Sequence, residues 1–331
     1  LGSRRHLLKF LSQNIDSGIG RLGVCELSDG VAVAQVARPE GPDPELVFCE
    51  FLPLERSGGA AGLLRKMISS HQLERFRTVG VMPPGSYSLL QIEPPEVPET
   101  ELREAVRWQI KDLIDFSLEE SVVDVFSVPV PRRPGRPRIA YAVATRASRV
   151  RQTVEMLKHG RLQIEAIDIP ELVLRNIAAH LPENPQGVAI LHIDAHQGQL
   201  AIIQNSVLYL TRNLGGGLSQ LVRPEAGSDF ENDLESSSLL RSLAETVTME
   251  IRRSLDFFES HFALSPIESL VVLPLEREIP DLVPALQSQL TLKIRSLDLN
   301  ALLKGPGIPM ELQSRCLLAI GGALRTGSVK P

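Results

Sequence analysis

Cysteine is scarce in this chain. Cys25, Cys49 and Cys316 are odd in number and far apart among 331 residues, so neither a disulfide framework nor zinc-ligand spacing follows from them. They read as buried thiols of a cytoplasmic protein. Aromatic residues make up only 4%, with a single tryptophan, Trp108. No apolar run approaches the length of a membrane-crossing helix, and no signal peptide is read at the start. A basic excess is also lacking. The formal net charge is −5, which argues against a dedicated nucleic-acid binder.

What is present is a large apolar fraction, 43%, enough for a real core in a chain long enough for two domains. A pattern near the start also returns in the second half. Gln13 to Gly18 precedes the strand-like runs Leu22–Leu27 and Val31–Val36, with a turn at Asp29-Gly30. Later, Val188 to Asp194 precedes Leu200–Ile203 and Val207–Leu210, with a turn at Asn205-Ser206. Each copy reads strand, Asp, turn, strand, turn, strand. The repeat predicts two related lobes facing each other across a cleft, as in proteins that hold nucleotide phosphates between two Asp-bearing hairpins.

Further strands are expected at 48–54, 78–82, 121–130, 138–145, 162–169 and 270–273. Helices are expected at 62–68, 149–158, 171–180 and 316–325. Glu99 to Ile114 reads as an amphipathic helix from the three- and four-residue steps of Leu102, Ala105, Val106, Ile110 and Leu113. Leu240 to Phe262 reads as a long helix with one apolar stripe. The serine-rich, acidic 226–238 stretch reads as a mobile loop, and Pro182 to Gly187 as the interlobe linker.

Two stretches are specific. One runs from Glu101-Leu102-Arg103-Glu104-Ala105-Val106-Arg107-Trp108-Gln109-Ile110 through Ile114-Asp115-Phe116-Ser117-Leu118 to Asp124. The other is Glu250-Ile251-Arg252-Arg253-Ser254-Leu255-Asp256-Phe257-Phe258. With Asp16-Ser17-Gly18 and Ala319 to Leu324, they resemble the PilM family of type IV pilus assembly proteins, in particular its MshI branch from the mannose-sensitive haemagglutinin (MSHA) pilus. The resemblance implies an α/β, two-lobed actin-like ATPase fold of the FtsA/PilM type with a small inserted α+β module. The first lobe would comprise residues 11–82 and 162–181, with a C-terminal helix at 311–327 packing back on it. The module would be 83–161 and the second lobe 187–310. The resemblance also implies a cytoplasmic protein peripheral to the inner membrane. It would grip the cytoplasmic N-terminal peptide of a PilN-type membrane protein and join it to the assembly ATPase or platform protein. Arg107, Trp108, Ile114, Asp115, Phe116 and Leu118 are the candidate partner-binding residues, with Trp108 either a groove anchor or a core residue.

For a nucleotide, the candidates are Asp16, Gly18, Asp194, Gly215, Gly216, Glu250 and Arg253, with ATP and Mg²⁺ as the cofactors they would hold. Asp carboxylates organise metal and water, and small residues let backbone N–H groups approach phosphate. Glu250 and Arg253 match positions that cradle the base in related ATPases, or form a solvated helix face. Three departures from the family pattern point to a degenerate site and away from an enzyme. Ile19 replaces a hydroxyl residue, His196 a glycine, and Pro274-Leu275-Glu276-Arg277 a Gly-Gly turn. The alternative is an ATP-binding protein, or weak ATPase, whose nucleotide state regulates partner binding. His192, Asp194 and His196 alternate but lack a fourth ligand, so no metal site is expected. Arg132, Arg133, Arg136 and Arg138 form a basic tip, either solvated or in contact with lipid head groups.

Overall fold

The computed structural model describes residues 20–39, 41–54, 59–129, 138–194, 198–214, 233–262, 264–276, 279 and 281–325. It begins with three antiparallel strands: β1 (Arg21–Leu27), β2 (Gly30–Ala37) and β3 (Glu45–Pro53). Helix α1 (Ala60–His71) then leads to β4 (Arg77–Val81), parallel to β1. After an excursion, α3 (Ala147–His159) leads to β8 (Gln163–Asp168), parallel to β4. The sheet order is β3-β2-β1-β4-β8. β2 shows why the chain folds this way. All eight of its residues are buried, so both faces of this sheet must be covered, and its near-continuous apolar run satisfies that.

The second half repeats the arrangement. β9 (Val188–Ile193), β10 (Gly198–Gln204) and β11 (Val207–Leu214) form an antiparallel meander. β12 (Ser269–Val272) runs parallel to β9, and β13 (Lys293–Ser296) parallel to β12. The order β11-β10-β9-β12-β13 matches the first sheet strand for strand. The structural repeat therefore pairs β9 with β1. The sequence pattern instead pairs β9 with the segment before Asp16, one strand too early. A meander of alternating apolar strands looks alike after a slide of one strand, and anchoring on an Asp selects the wrong phase. The first-lobe counterpart of Asp194 is the turn Ser28-Asp29.

Two helices lie between the sheets. α4 (Pro170–Ala178) starts with Pro170, whose fixed φ suits the first helical turn. Residues of α4, the C-terminal helix and both sheets share one core, including Ala32, Val173, Ile177, Val188, Ile203, Leu317 and Ile320. α1 and α3 cover the outer face of the first sheet through Leu64, Ile68, Met156 and Leu157. The outer face of the second sheet is covered by α5 (Asp233–Phe262), whose Val247, Ile251, Phe258 and Phe262 are buried, and by α6 (Leu282–Gln289). Residues 233–238, expected as loop, are the first turns of α5. Acidic residues such as Asp233 and Glu235 suit a helix start. A short α7 (Leu299–Leu302) precedes the C-terminal helix α8 (Met310–Ala323).

The excursion between β4 and α3 is a three-stranded sheet, ordered β5-β7-β6, of β5 (Ser88–Ile92), β6 (Ser121–Ser127) and β7 (Ala140–Arg146). Helix α2 (Glu99–Gln109) covers one face, with Leu102 and Val106 packed on Ile92, Val123, Ala142 and Ala144. The other face does not stand alone. Leu89, Phe126, Val128, Ile139 and Tyr141 join the core of the second lobe. The Tyr141 hydroxyl donates to the Tyr209 carbonyl at 3.2 Å. The helix expected over 99–114 stops at Gln109 and continues as a 3-10 turn, Lys111–Leu113.

Candidate functional site

A cleft of about 1300 Å³ opens where the two lobes face each other. Its walls are the ends of the repeated strands: Glu26, Ser28 and Asp29 from the first sheet, Asp194 after β9, and Glu276 after β12. The start of α1 at Gly59-Ala60-Ala61, the α3 residues Arg149, Gln152, Glu155 and His159, and the α8 residues Glu311 and Arg315 complete it. Its electrostatics are lopsided. The carboxylates are Glu26, Asp29, Glu155, Asp194, Glu276 and Glu311, against the guanidiniums of Arg149 and Arg315.

Arg315 is already committed. Its Nη1 donates to Asp29 Oδ2 at 2.7 Å and its Nη2 to Glu276 Oε1 at 2.5 Å, while Glu311 lies at 4.0 Å. Its guanidinium also sits 4.6 Å above the Phe51 ring. Burial pulls this group down. The hydrogen bond to Asp29 and the charges of Glu276, Asp29 and Glu311 outweigh that and hold it above its ordinary value. One cation from α8 thus ties the first-lobe turn to the second-lobe turn. Sequence reading misses it because Arg315, although inside the C-terminal helix expected at 311–327, carries no local sign of its partners Asp29 and Glu276.

Of the nucleotide candidates, Asp194 lines this cleft. Asp16, Gly18, Gly215 and Gly216 lie outside the described residues. Glu250 and Arg253 do not line the cleft. They pair with each other on α5 at 2.9 Å, and Arg253 points largely into solvent. His192 is buried, and its burial holds it below its ordinary pKa against the pull of Asp194. Among the described residues, no cluster of His, Cys, Asp and Glu is arranged to hold a metal ion. His196 and the basic tip at 131–137 lie outside the described residues. Arg138 donates to the Pro94 and Pro95 carbonyls, both at 3.1 Å.

Beneath the cleft, a buried junction joins all three parts of the molecule. Glu171 at the start of α4 accepts from Tyr87 of the module at 2.6 Å and from Gln199 of β10 at 2.8 Å. Burial pushes the Glu171 carboxyl up, against the hydrogen bonds from Tyr87 and Gln199.

The partner-binding candidates gather on the module. Trp108 is 64% exposed and Leu113 61%, so Trp108 is no core residue. Val122 on the adjoining edge strand β6 is exposed as well. Arg107 donates to the Leu118 carbonyl, and Glu104 lies at 3.7 Å from it. Phe116 and Ile114 rest against the module core. Arg146 lies 5.0 Å over the Phe116 ring and donates to the Asp115 carbonyl at 3.3 Å. The bend after α2 is therefore held rigidly by Arg107 and Arg146, while Trp108 and Leu113 remain open to solvent.

Two five-stranded sheets of identical order, with paired helices between them and an acidic cleft at their strand ends, define a two-lobed protein of the actin-like ATPase fold. The family model for type IV pilus assembly protein PilM matches residues 63–326. The chain belongs to that family. A chain of a "PilM-PilN type IV pilus biogenesis complex" has the same fold, with a TM-score of 0.69 and 23% identity over 94% of this chain and 99% of that one. More distant likenesses are the cytoplasmic domain of EpsL from the type II secretion system of Vibrio cholerae (12% identity, 94% and 100% covered, TM-score 0.48) and ethanolamine utilization protein EutJ from Carboxydothermus hydrogenoformans (12% identity, 92% and 89% covered, TM-score 0.46). Comparison with curated proteins finds no match. Among the described residues, no helix is long and apolar enough to cross a membrane.

Proposed function

We propose that this protein is a docking component of a type IV pilus assembly complex of the MSHA kind, on the MshI branch of its family. It binds the cytoplasmic N-terminal peptide of a PilN-type inner-membrane protein and holds it for the assembly ATPase or platform protein. In this reading it is cytoplasmic and peripheral to the inner membrane. The observation that carries the reading is the exposed Trp108–Leu113 pair on a bend braced by Arg107 and Arg146. A large aromatic side chain held in water on a rigid element is what a peptide anchor requires. The PilM-PilN complex with the same fold supports the partner class.

In this reading the interlobe cleft is a degenerate nucleotide site. Its excess of carboxylates repels a polyphosphate, and its central cation is held by Asp29 and Glu276. Titration calorimetry with a synthetic peptide of the partner's cytoplasmic N-terminus tests the docking role. Saturable heat that disappears in Trp108→Ala is expected. Equal heat from the wild type and that variant would move the groove elsewhere.

A further inference from the structure

The outer face of the first lobe carries a charge that the rest of the chain does not. Residues 59–79 and 146–161, which contain α1 and α3, hold nine lysines and arginines against two glutamates. The whole chain is acidic, with a net charge of −5. α1 and α3 lie side by side on the sheet and bury Leu64, Met67, Ile68, Met156 and Leu157. That packing turns Arg65 and Lys66 of α1, and Arg151 and Lys158 of α3, outward. Arg75 and Arg77, on the connection from α1 into β4, are exposed beside them. None of these six forms an ion pair with another described residue.

We infer that the α1–α3 face is a membrane-contact surface that recognises anionic phospholipid head groups. Three observations favour lipid over a protein partner. Among the described residues no carboxylate pairs with these cations, so none of those must be displaced before they meet an anionic surface. None of the described chain's exposed large apolar residues lies on this face, so it lacks the apolar anchors around which protein interfaces are usually built. The charges are spread over two adjacent helices, which suits a flat array of head groups. The β7 strand of the module runs directly into α3 at Arg146-Ala147, so the face adjoins the surface proposed to hold a membrane protein's peptide. Only that last point rests on the docking reading. The electrostatic attraction falls with salt and acts within about one Debye length of the surface.

Co-sedimentation of the whole protein with vesicles tests this. Vesicles of phosphatidylglycerol and phosphatidylcholine are compared with vesicles of phosphatidylcholine alone. Binding to the anionic vesicles only, weakening as salt rises, is expected. Each Lys or Arg near such a surface contributes roughly fivefold. Reversing four charges (Arg65→Glu, Lys66→Glu, Arg151→Glu and Lys158→Glu) should therefore weaken binding by more than about tenfold. Exchanging the same four between Lys and Arg should preserve it. Unchanged unfolding and unchanged peptide titration in the reversed variant separate this surface from the docking groove and from misfolding. Equal binding to both kinds of vesicle would overturn the inference, as would anionic binding that survives the reversal. Displacement from the vesicles by polyglutamate at matched charge would also overturn it, reassigning the face to an acidic protein.

Discussion

Trp108 and Glu171 show how the same molecule treats two costly side chains differently. Trp108 has its ring in water and packs against none of the four cores, so removing it creates no cavity. Trp108→Ala should lower stability by less than about 0.5 kcal/mol, as exposed substitutions do, while weakening the partner peptide about tenfold or more. Thermal unfolding and peptide calorimetry on the same samples check both halves. Glu171 is the opposite case. Burial raises its carboxyl above the ordinary range, so the folded state takes up a proton more readily than the unfolded chain. Stability is then greatest below the unfolded carboxylate pKa and declines as pH rises through the raised folded value. Glu171→Gln keeps a hydrogen-bonding partner for Tyr87 and Gln199 but removes the proton. The stability difference between variant and wild type should shift in favour of the variant as pH rises from the acid side to neutrality, as read by urea unfolding at several pH values. A constant difference would mean that Glu171 does not titrate across that range.

At the scale of elements, α8 is the most constrained. A Cβ on Gly23 of β1 would stand 1.8 Å from the Ala319 carbonyl oxygen of α8, and one on Gly321 would stand 2.4 Å from Val173 of α4. The helix therefore rests on bare backbone, and Gly23→Ala should cost about 2–3 kcal/mol or more by overpacking, against nearly nothing for Gly62→Ala, whose added Cβ meets open space. Chemical unfolding of the two variants gives the comparison. The small residues of α8 are visible in the sequence, and so is their meaning as a close-packed helix. The meander strands, α1, α3, α4 and α5 are also legible, because their apolar periodicity persists over several turns or alternations. What stays hidden is what depends on three dimensions. β5 and β13 are short and half-exposed, so they carry little alternation. The phase of the duplicated hairpin needs the strand order. Arg315 and Asp29 are 286 residues apart in sequence, and nothing local marks them as partners. The exposed Trp108 sits on an α2 whose other face is apolar, and periodicity alone leaves it on the border of that stripe.

Among the described residues, Arg315 is a cation that bridges the two lobes at the cleft. Arg315 pairs with Asp29 on the first lobe and with Glu276 on the second, and is itself only partly exposed. Removing the guanidinium leaves Asp29, Glu276 and Glu311 facing one another without a counter-charge, so the loss exceeds that of an ordinary surface pair. Arg315→Gln should be about 1–2 kcal/mol less stable at low salt, and the deficit should shrink at high salt, where like-charge repulsion is screened. Adding Glu276→Gln should recover part of it. The same arrangement bears on nucleotide. A ligand carrying phosphates and a metal would enter a space whose carboxylates already outnumber its guanidiniums, and would have to compete with α8 for the carboxylates of Asp29 and Glu276. Titration of the wild type with Mg-ATP should therefore give no saturable heat, while the partner peptide still binds. Micromolar binding lost in Asp194→Ala would instead mean that the lobes open, release Arg315 and use the cleft as a nucleotide-controlled switch on the docking groove. In that case peptide affinity would change on adding Mg-ATP, because a ligand shifts a two-state equilibrium only by favouring one of its states.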